Sequence, residues 1–302
     1  MEGSLRSDGE PFGRLRVAGA EQAESLSVGF VGSGRAARSL ARSLARRGHR
    51  LLIAEHGESS ARLASDLDGE LVADALALAD VTILAVPDAR VAALAESLAA
   101  TSAPGQGRVV LHLAGSLGLQ ELAPLAEAGY AIGAMHPLQV LSGWRIPPGT
   151  TFAVEADPIA RTAISRLVAD LGGVELDLPA GGRVAYHAAA VIAANLGMTL
   201  LAEAVDLLER QGVERGQALQ GLTGLVRGGL EASLDSGLPG ALTGPVTRGD
   251  LGTVSAHLRA LSSDPDLEAA YRAVSKLALR QARKDGRPAA GGEAVAQLLE
   301  ES

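Results

Sequence analysis

Short apolar runs alternate with helix-like patterns over the first half of the chain. The apolar runs occupy residues 26–31, 50–54, 81–86, 109–113, 131–135 and 151–154. Between the first five runs, apolar positions recur with helical spacing. Such alternation, with strands that are apolar almost throughout, is typical of a parallel sheet covered by helices on both faces.

The strand pattern ends near Pro179. Beyond it, only helical patterns follow, at residues 183–210, 217–236, 249–261 and 266–284. Gly197 is a candidate break in the first of them. The sequence therefore predicts an α/β fold with an N-terminal Rossmann domain, a doubly wound parallel sheet, at residues 25–178. An all-helical C-terminal domain follows at 179–302, and the polar, glycine-containing residues 1–24 are predicted to be a disordered tail.

Composition and charge exclude several classes of protein. Aromatic residues make up 2% of the chain, too few for the stacking platforms that bind single-stranded nucleic acid. The 27 basic and 35 acidic residues give a net charge of −8, which disfavours binding to a phosphate backbone. There is no cysteine, which excludes disulfides, thiolate nucleophiles and cysteine-bound metals.

No segment reads as a membrane span or a signal peptide. The longest apolar stretch, residues 188–202, contains Asn195 and is shorter than the roughly 20 residues that a span requires. The N-terminus has no apolar run of signal-peptide length. We therefore expect a cytoplasmic protein with no membrane or nucleic-acid partner.

The sharpest local motif has the form G-x-G-x-x-A and follows the first predicted strand. It comprises Gly32, Ser33, Gly34, Arg35, Ala36 and Ala37. The first glycine would allow a tight turn, and the second would let the backbone approach a dinucleotide pyrophosphate at a helix N-terminus. Read without this context, the same residues would be an ordinary strand-to-helix turn.

Two further segments extend the predicted cofactor site. Glu55 ends the second predicted strand at about the spacing from Gly34 that is expected of a ribose-binding acid, which favours NAD. It could equally be a solvated strand-end acid, so the choice between NAD and NADP stays open. Val86 and Pro87 end the strand at 81–86, where open α/β sheets bind ligands.

Candidate reaction residues follow strand ends or begin the first C-terminal helix. His112 and His136 lie at two predicted strand ends, and His112 would border the cofactor. His187 and Asn195 lie in the helix at a spacing that gives them one face. Histidine titrates near neutrality and suits general acid catalysis, whereas the alternative for each residue is a structural polar group.

The segment LTGPVTRGD at 242–250 is predicted to be a structured loop before a helix. Asp250 would cap that helix, and Arg248 would either clamp a substrate carboxylate or be a solvated arginine. A metal site is not expected, because the chain has no cysteine and no His-Glu-x-x-His or His-x-His motif.

Taken in order, these segments resemble a known bacterial family. The blocks are GSGRAA, LAVPD, HLAGS, AMHPLQ, YHAAAVIAANLGMTLLAEA and LTGPVTRGD, and together they resemble the proteins described as Rossmann-like plus DUF2520. The resemblance implies an NAD(P)-binding domain, a helical domain that dimerises, and oxidoreductase activity. Some family members resemble alternative ketopantoate reductases, which reduce a 2-keto acid.

One feature departs from the related dehydrogenases. Their catalytic lysine, early in the second domain, has no counterpart here, because Lys276 and Lys284 are the only lysines. We predict that His187 takes its place as proton donor, that Asn195 and His136 orient a carbonyl, and that Arg248 holds a carboxylate. The predicted activity is NAD(P)-dependent reduction of a small 2-keto acid such as ketopantoate, by a homodimer. The alternatives are an imine reductase resembling pyrroline-5-carboxylate reductase and a non-catalytic NAD(P)-binding regulator.

Overall fold

The computed structural model describes residues 25–141, 144–179, 181–284, 286 and 290–301. The tail predicted at 1–24 lies outside the described residues. The chain forms two compact units, one up to Ala190 and the other from Val191 onward. We call them the Rossmann unit and the helical unit.

The Rossmann unit is built on one eight-stranded sheet. Its strands are β1 (Ser27–Val31), β2 (Arg50–Ala54), β3 (Glu70–Val72), β4 (Val81–Leu84), β5 (Val109–His112), β6 (Ala131–Pro137), β7 (Thr151–Ala156) and β8 (Val174–Asp177). They lie in the order β3-β2-β1-β4-β5-β6-β7-β8. The first six strands in this order are parallel, whereas β7 pairs antiparallel with β6 and parallel with β8. The predicted Rossmann sheet is confirmed, with a reversed pair of strands at one edge.

Helices connect the strands of this unit. They are α1 (Arg35–Ala45), α2 (Glu58–Asp66), α3 (Ala75–Leu78), α4 (Val91–Thr101), α5 (Ala123–Glu127) and α6 (Pro158–Asp170). The sheet buries apolar side chains in two clusters, one of which includes Phe30, Leu40 and Phe152, and the other Val31, Leu84 and Val110. Two layers of packing around one sheet hold the strand ends, and thus the loops after them, at defined positions.

A long helical stretch follows the sheet. It comprises α7 (Arg183–Ala190), a π-helical segment (Val191–Leu196) and α8 (Gly197–Arg210). The compact units divide inside this stretch, not before it as the sequence boundary at 178/179 placed it, because α7 belongs with the Rossmann unit. By length and mean hydropathy, 1.7, the stretch could cross a membrane, but a single such helix is weak evidence for a membrane protein.

The rest of the helical unit is α-helical. Its helices are α9 (Arg215–Ala241), α10 (Pro245–Arg248), α11 (Leu251–Leu261), α12 (Pro265–Lys284) and α13 (Gly292–Glu300). The α9 range contains a kink at Gly237, whose φ is 75°. A small apolar core joins Val246, Val254, Leu279 and Val295. As predicted, Asp250 caps α11, since its carboxylate accepts from the Thr253 backbone N–H at 3.0 Å.

Candidate functional site

The glycine turn links β1 to α1. Gly32 has a φ of 110°, and a Cβ at this position would lie 2.4 Å from the Ala85 carbonyl oxygen, so no other residue fits without movement. At Gly34, in contrast, an added Cβ would meet nothing within 4 Å. The turn is therefore closed against the sheet at its first glycine and open to a ligand at its second.

The N-terminus of α1 is available to bind an anion. Gly34 is its N-cap and provides no side-chain cap, so the first backbone N–H groups of the helix have no such partner. The chain before the helix is held by Arg38, whose Nε donates to the Ser33 carbonyl oxygen at 3.0 Å, and by a 2.8 Å hydrogen bond between the Ser33 and Ser59 hydroxyls. This arrangement fits the pyrophosphate of a dinucleotide.

The remaining predicted cofactor residues lie along the same edge of the sheet, but one of them is not available to a ligand. Glu55 is exposed directly after β2, and Val86 and Pro87 follow β4. His112 is completely buried: its Nε2 is 3.0 Å from the Gly118 carbonyl oxygen, and its Nδ1 accepts from the Ala114 N–H at 3.2 Å. Both nitrogens are thus occupied within the chain, so the geometry assigns His112 to holding the loop after β5 and leaves no free nitrogen for a cofactor.

A cavity of about 390 Å³ connects the glycine turn with His136. Gly34, Arg35 and Ala36 line it on the turn, while Ala85 and Pro87 line it after β4. His136 lies near the end of β6 and lines the cavity as well. The fold therefore brings a dinucleotide-type turn and a titratable side chain to one cavity within the Rossmann unit.

His136 belongs to a cluster with Tyr186 and His187 of α7. Its Nδ1 is 2.7 Å from the Tyr186 hydroxyl oxygen, and its ring meets the His187 ring edge-on with centroids 5.9 Å apart. Gly115 packs between the imidazoles, since a Cβ there would lie 2.4 Å from His187 Nδ1 and 3.1 Å from His136 Nε2. The structure thus places the two predicted histidines together and adds Tyr186 and Gly115, whose roles the sequence analysis did not assign.

Burial sets the protonation of this cluster. Burial, with smaller contributions from the nearby His187 and Arg183, lowers the pKa of His136 to about 4, so His136 is neutral near pH 7. Burial also raises the pKa of Tyr186, which therefore keeps its phenolic proton. A protonated phenol can donate to His136 Nδ1, and the ring proton of His136 then sits on Nε2.

One ring nitrogen of His187 lies in the interior. Its Nδ1 is buried and has no hydrogen-bond partner among the described residues, although the ring as a whole is only half-buried. The exposed part of the ring is therefore the part that can contact another molecule.

Arg183 is a buried cation that the sequence analysis missed. Its Nε donates to the Leu117 carbonyl oxygen and its Nη2 to that of Ala114, at 3.3 Å, while Glu155 lies 3.7 Å from Nε. The side chain is 3% exposed. It ties the loop that carries Gly115 to the helix that carries His187. The only sequence signal was a single charge at the start of an otherwise apolar helix.

The other predicted reaction residues lie in the helical unit. Asn195 is exposed in the π-helical segment, whose wider turns disturb the four-residue spacing that assigned it to the face of His187. Arg248 donates from Nη1 to the Thr243 carbonyl oxygen. His257 Nδ1 is 2.9 Å from the Tyr271 hydroxyl oxygen, and both line an apolar cavity of about 650 Å³. Catalytic roles for Asn195 and Arg248 stay predictions.

No group of three or more potential metal ligands occurs among the described residues.

Comparison with known proteins agrees with this architecture. The family model described as a Rossmann-like domain matches residues 15–137, and the model described as DUF2520, a domain of unknown function, matches residues 150–278. No curated protein matches the sequence.

Several solved structures share the fold. A Bacteroides fragilis protein assigned as an NADP oxidoreductase is 22% identical, over 84% of this chain and 98% of its own, with a TM-score of 0.69. Pyrroline-5-carboxylate reductase from Streptococcus pyogenes is 16% identical, over 84% and 98% of the two chains, with a TM-score of 0.58. Reductive aminase from Aspergillus terreus, solved with NADPH and ethyl levulinate, is 16% identical, over 92% and 100%, with a TM-score of 0.60.

The two domain descriptions together cover most of the chain, in the order and at the positions that the sequence motifs indicated. The chain thus combines a region that matches the Rossmann-like domain family with a following region that matches the DUF2520 family.

Proposed function

We propose that this protein is an NAD(P)H-dependent reductase of a small carbonyl or imine compound. The observation that carries the proposal is the 390 Å³ cavity, which has the glycine turn on one side and His136 on the other. The structural relatives with NADP, NADPH or reductase in their descriptions support the same class of reaction. When bound at the turn, the reduced cofactor would supply the hydride.

The histidines and Tyr186 have distinct parts in the proposed reaction. Reduction of a C=O bond creates an alkoxide that must receive a proton. His187, acting as the imidazolium, donates that proton and is left as the neutral imidazole. His136 stays neutral and orients the substrate oxygen by a hydrogen bond, with its tautomer held by Tyr186. Arg183 is a positioning residue, because it holds the Gly115 loop against both imidazoles. In the helical unit, Asn195 is proposed to assist orientation and Arg248 to bind a substrate carboxylate.

The preferred substrate class is a 2-keto acid such as ketopantoate. An imine is the second candidate, because the similar structures include a pyrroline-5-carboxylate reductase and a reductive aminase. Oxidation of NADH and NADPH at 340 nm, measured with ketopantoate and with pyrroline-5-carboxylate, separates the two. Tight cofactor binding without turnover of either compound would favour the non-catalytic alternative.

The test of the proposed proton donor is His187→Gln. We expect kcat to fall by about 10²–10⁴-fold while calorimetry shows unchanged NADPH binding. The matched control is Val184→Ala, an exposed position on the same helix, which should retain the parent kcat. Parent-like turnover by His187→Gln would overturn the assignment of the acid.

We also propose that the protein is a homodimer formed through its helices. Val226, Leu230 and Leu234 are spaced by four on the part of α9 that precedes the kink at Gly237, and they are 40%, 61% and 86% exposed in the single chain. An apolar strip of this length marks an interface, and a second copy is the commonest partner. Light scattering should give twice the chain mass for the parent, and Leu230→Glu with Leu234→Glu should give monomers. A monomeric parent, or one extracted only by detergent, would contradict the dimer.

A further inference from the structure

A second cavity of the Rossmann unit lies at the opposite end of α1 from the glycine turn. It has a volume of about 500 Å³ and is formed where residues 144–148 pass the C-terminal end of that helix. The 11 residues of α1 separate the two ends by roughly 16 Å, at about 1.5 Å per residue. None of its lining residues lines the cavity at His136. The proposed reductase activity assigns it no role.

Three arginines line this cavity without a matching set of acids. Arg46 and Arg47 come from the end of α1, and Arg145 comes from the loop before β7. None of the three forms an ion pair with an acid among the described residues. Asp170, the one acidic residue in the lining, is already bound to His49 at 3.0 Å.

This charge distribution favours an anionic ligand. Basic residues at a helix C-terminus are ordinary, because they complement the helix dipole, and that accounts for Arg46 and Arg47. It does not account for Arg145, which a different segment brings to the same cavity. Like charges gathered in a concave site raise the local concentration of anions, in a chain whose net charge is −8.

An exposed indole adds a second, independent feature. Trp144 is the only tryptophan of the chain, lines the cavity and is 72% exposed. The Arg42 guanidinium lies 5.7 Å from its ring centroid. Tryptophan is usually largely buried, and an exposed indole beside cations offers a stacking surface to a planar ring.

The loop that carries these groups is anchored to α1. The Ile146 backbone N–H donates to the Ser43 hydroxyl at 2.8 Å, and that hydroxyl donates to the Ser39 carbonyl oxygen at 2.9 Å. Ile146 itself is buried in the main apolar cluster. Trp144 and Arg145 therefore stand next to a fixed point, which lowers the ordering cost of binding a ligand.

We propose that this cavity binds a small anion of the nucleoside phosphate class, whose base is a planar ring. The phosphate groups contact Arg46, Arg47 and Arg145, and the planar ring stacks on Trp144. The strongly negative chain disfavours a nucleic acid as occupant, since a long polyanion would face repulsion beyond this patch. Binding here is separate from binding of the dinucleotide at the glycine turn.

The single tryptophan makes the test direct, because fluorescence excited at 295 nm reports only Trp144. The full chain is titrated with ADP, with adenosine and with inorganic phosphate. We expect saturable quenching by ADP, at least tenfold weaker binding of adenosine or phosphate alone, and weakening of ADP binding by added salt. Absence of saturable quenching by ADP would overturn the proposal.

Variants separate this cavity from the glycine turn. Arg46→Glu with Arg145→Glu should weaken ADP binding at least tenfold and leave NADPH binding, measured by calorimetry, as in the parent. Arg280→Glu with Arg283→Glu changes the net charge equally in the helical unit and should leave the quenching unchanged. Gly34→Val blocks the glycine turn and should also leave it unchanged. Loss of quenching in Gly34→Val, or its persistence after reversal of Arg46 and Arg145, would refute the site.

Discussion

Acidification should destabilise the Rossmann unit through a histidine that is buried in its neutral form. His112 is completely buried, and burial lowers its pKa to about 4. The ordinary value, about 6.5, applies in the unfolded chain. As the pH falls below 6.5, the unfolded chain therefore takes up a proton that the folded chain refuses, and stability is lost progressively until about pH 4.

The size of the effect follows from the two pKa values. Between pH 7.5 and pH 5, one histidine with these values reduces the free energy of unfolding by about 2 kcal/mol. His136, whose pKa is also lowered to about 4, acts in the same direction. Since an ordinary domain is stable by only about 5–15 kcal/mol, the loss should be easily measured.

The assay is urea unfolding at several pH values, followed by the fluorescence of Trp144, which reports the Rossmann unit. His112→Gln removes the titrating group and should flatten the pH dependence by about 2 kcal/mol over this range. It should also lower stability at pH 7.5, because the ring's contacts with Gly118 and Ala114 are lost. His56→Gln, the matched control at an exposed position, should leave the stability at pH 7.5 unchanged. An unaltered pH slope in His112→Gln would refute the reasoning.

Three further predictions concern the cofactor turn and a helix cap. Gly34→Ala should keep the parent melting temperature but weaken NADPH binding in calorimetry, because an added Cβ meets nothing in the chain. Gly32→Ala should lower stability by about 1–3 kcal/mol, because its Cβ would collide with the Ala85 carbonyl. Equal melting temperatures for the two variants would contradict this. Glu55→Ala should shift the ratio of NADPH to NADH affinity towards NADPH, since it removes a carboxylate that would repel a 2′-phosphate, and an unchanged ratio would place Glu55 away from the ribose. Asp250→Ala should cost the helical unit about 1 kcal/mol in denaturant unfolding through loss of the α11 cap, and no loss would show that the cap is dispensable.

The sequence by itself determined the features that depend only on residues close together in the chain, which are the strands, helices and turns. Continuous apolar runs such as 81–86 are typical of strands in a covered sheet, and the Gly32–Gly34 spacing after such a run indicates a strand-to-helix turn. The switch from strand to helix patterns near residue 179 marked the second half of the chain in the same way. The pattern of apolar runs did not predict strands β3 and β8, because β3 has only three residues and β8 is largely exposed.

Only the tertiary structure decided which side chains meet. His136 and Tyr186 are 50 residues apart in the chain, yet their polar atoms are 2.7 Å apart, and Gly115 comes from a third segment to separate two imidazoles. Both ring nitrogens of His112 make contacts with the backbone of the loop after β5, and Arg183 donates to a carbonyl oxygen of the same loop. Neither set of contacts can be predicted from residue type or spacing. Periodicity describes how one segment faces its surroundings, whereas a site arises where several segments converge, and that convergence is set by the packing of the whole unit.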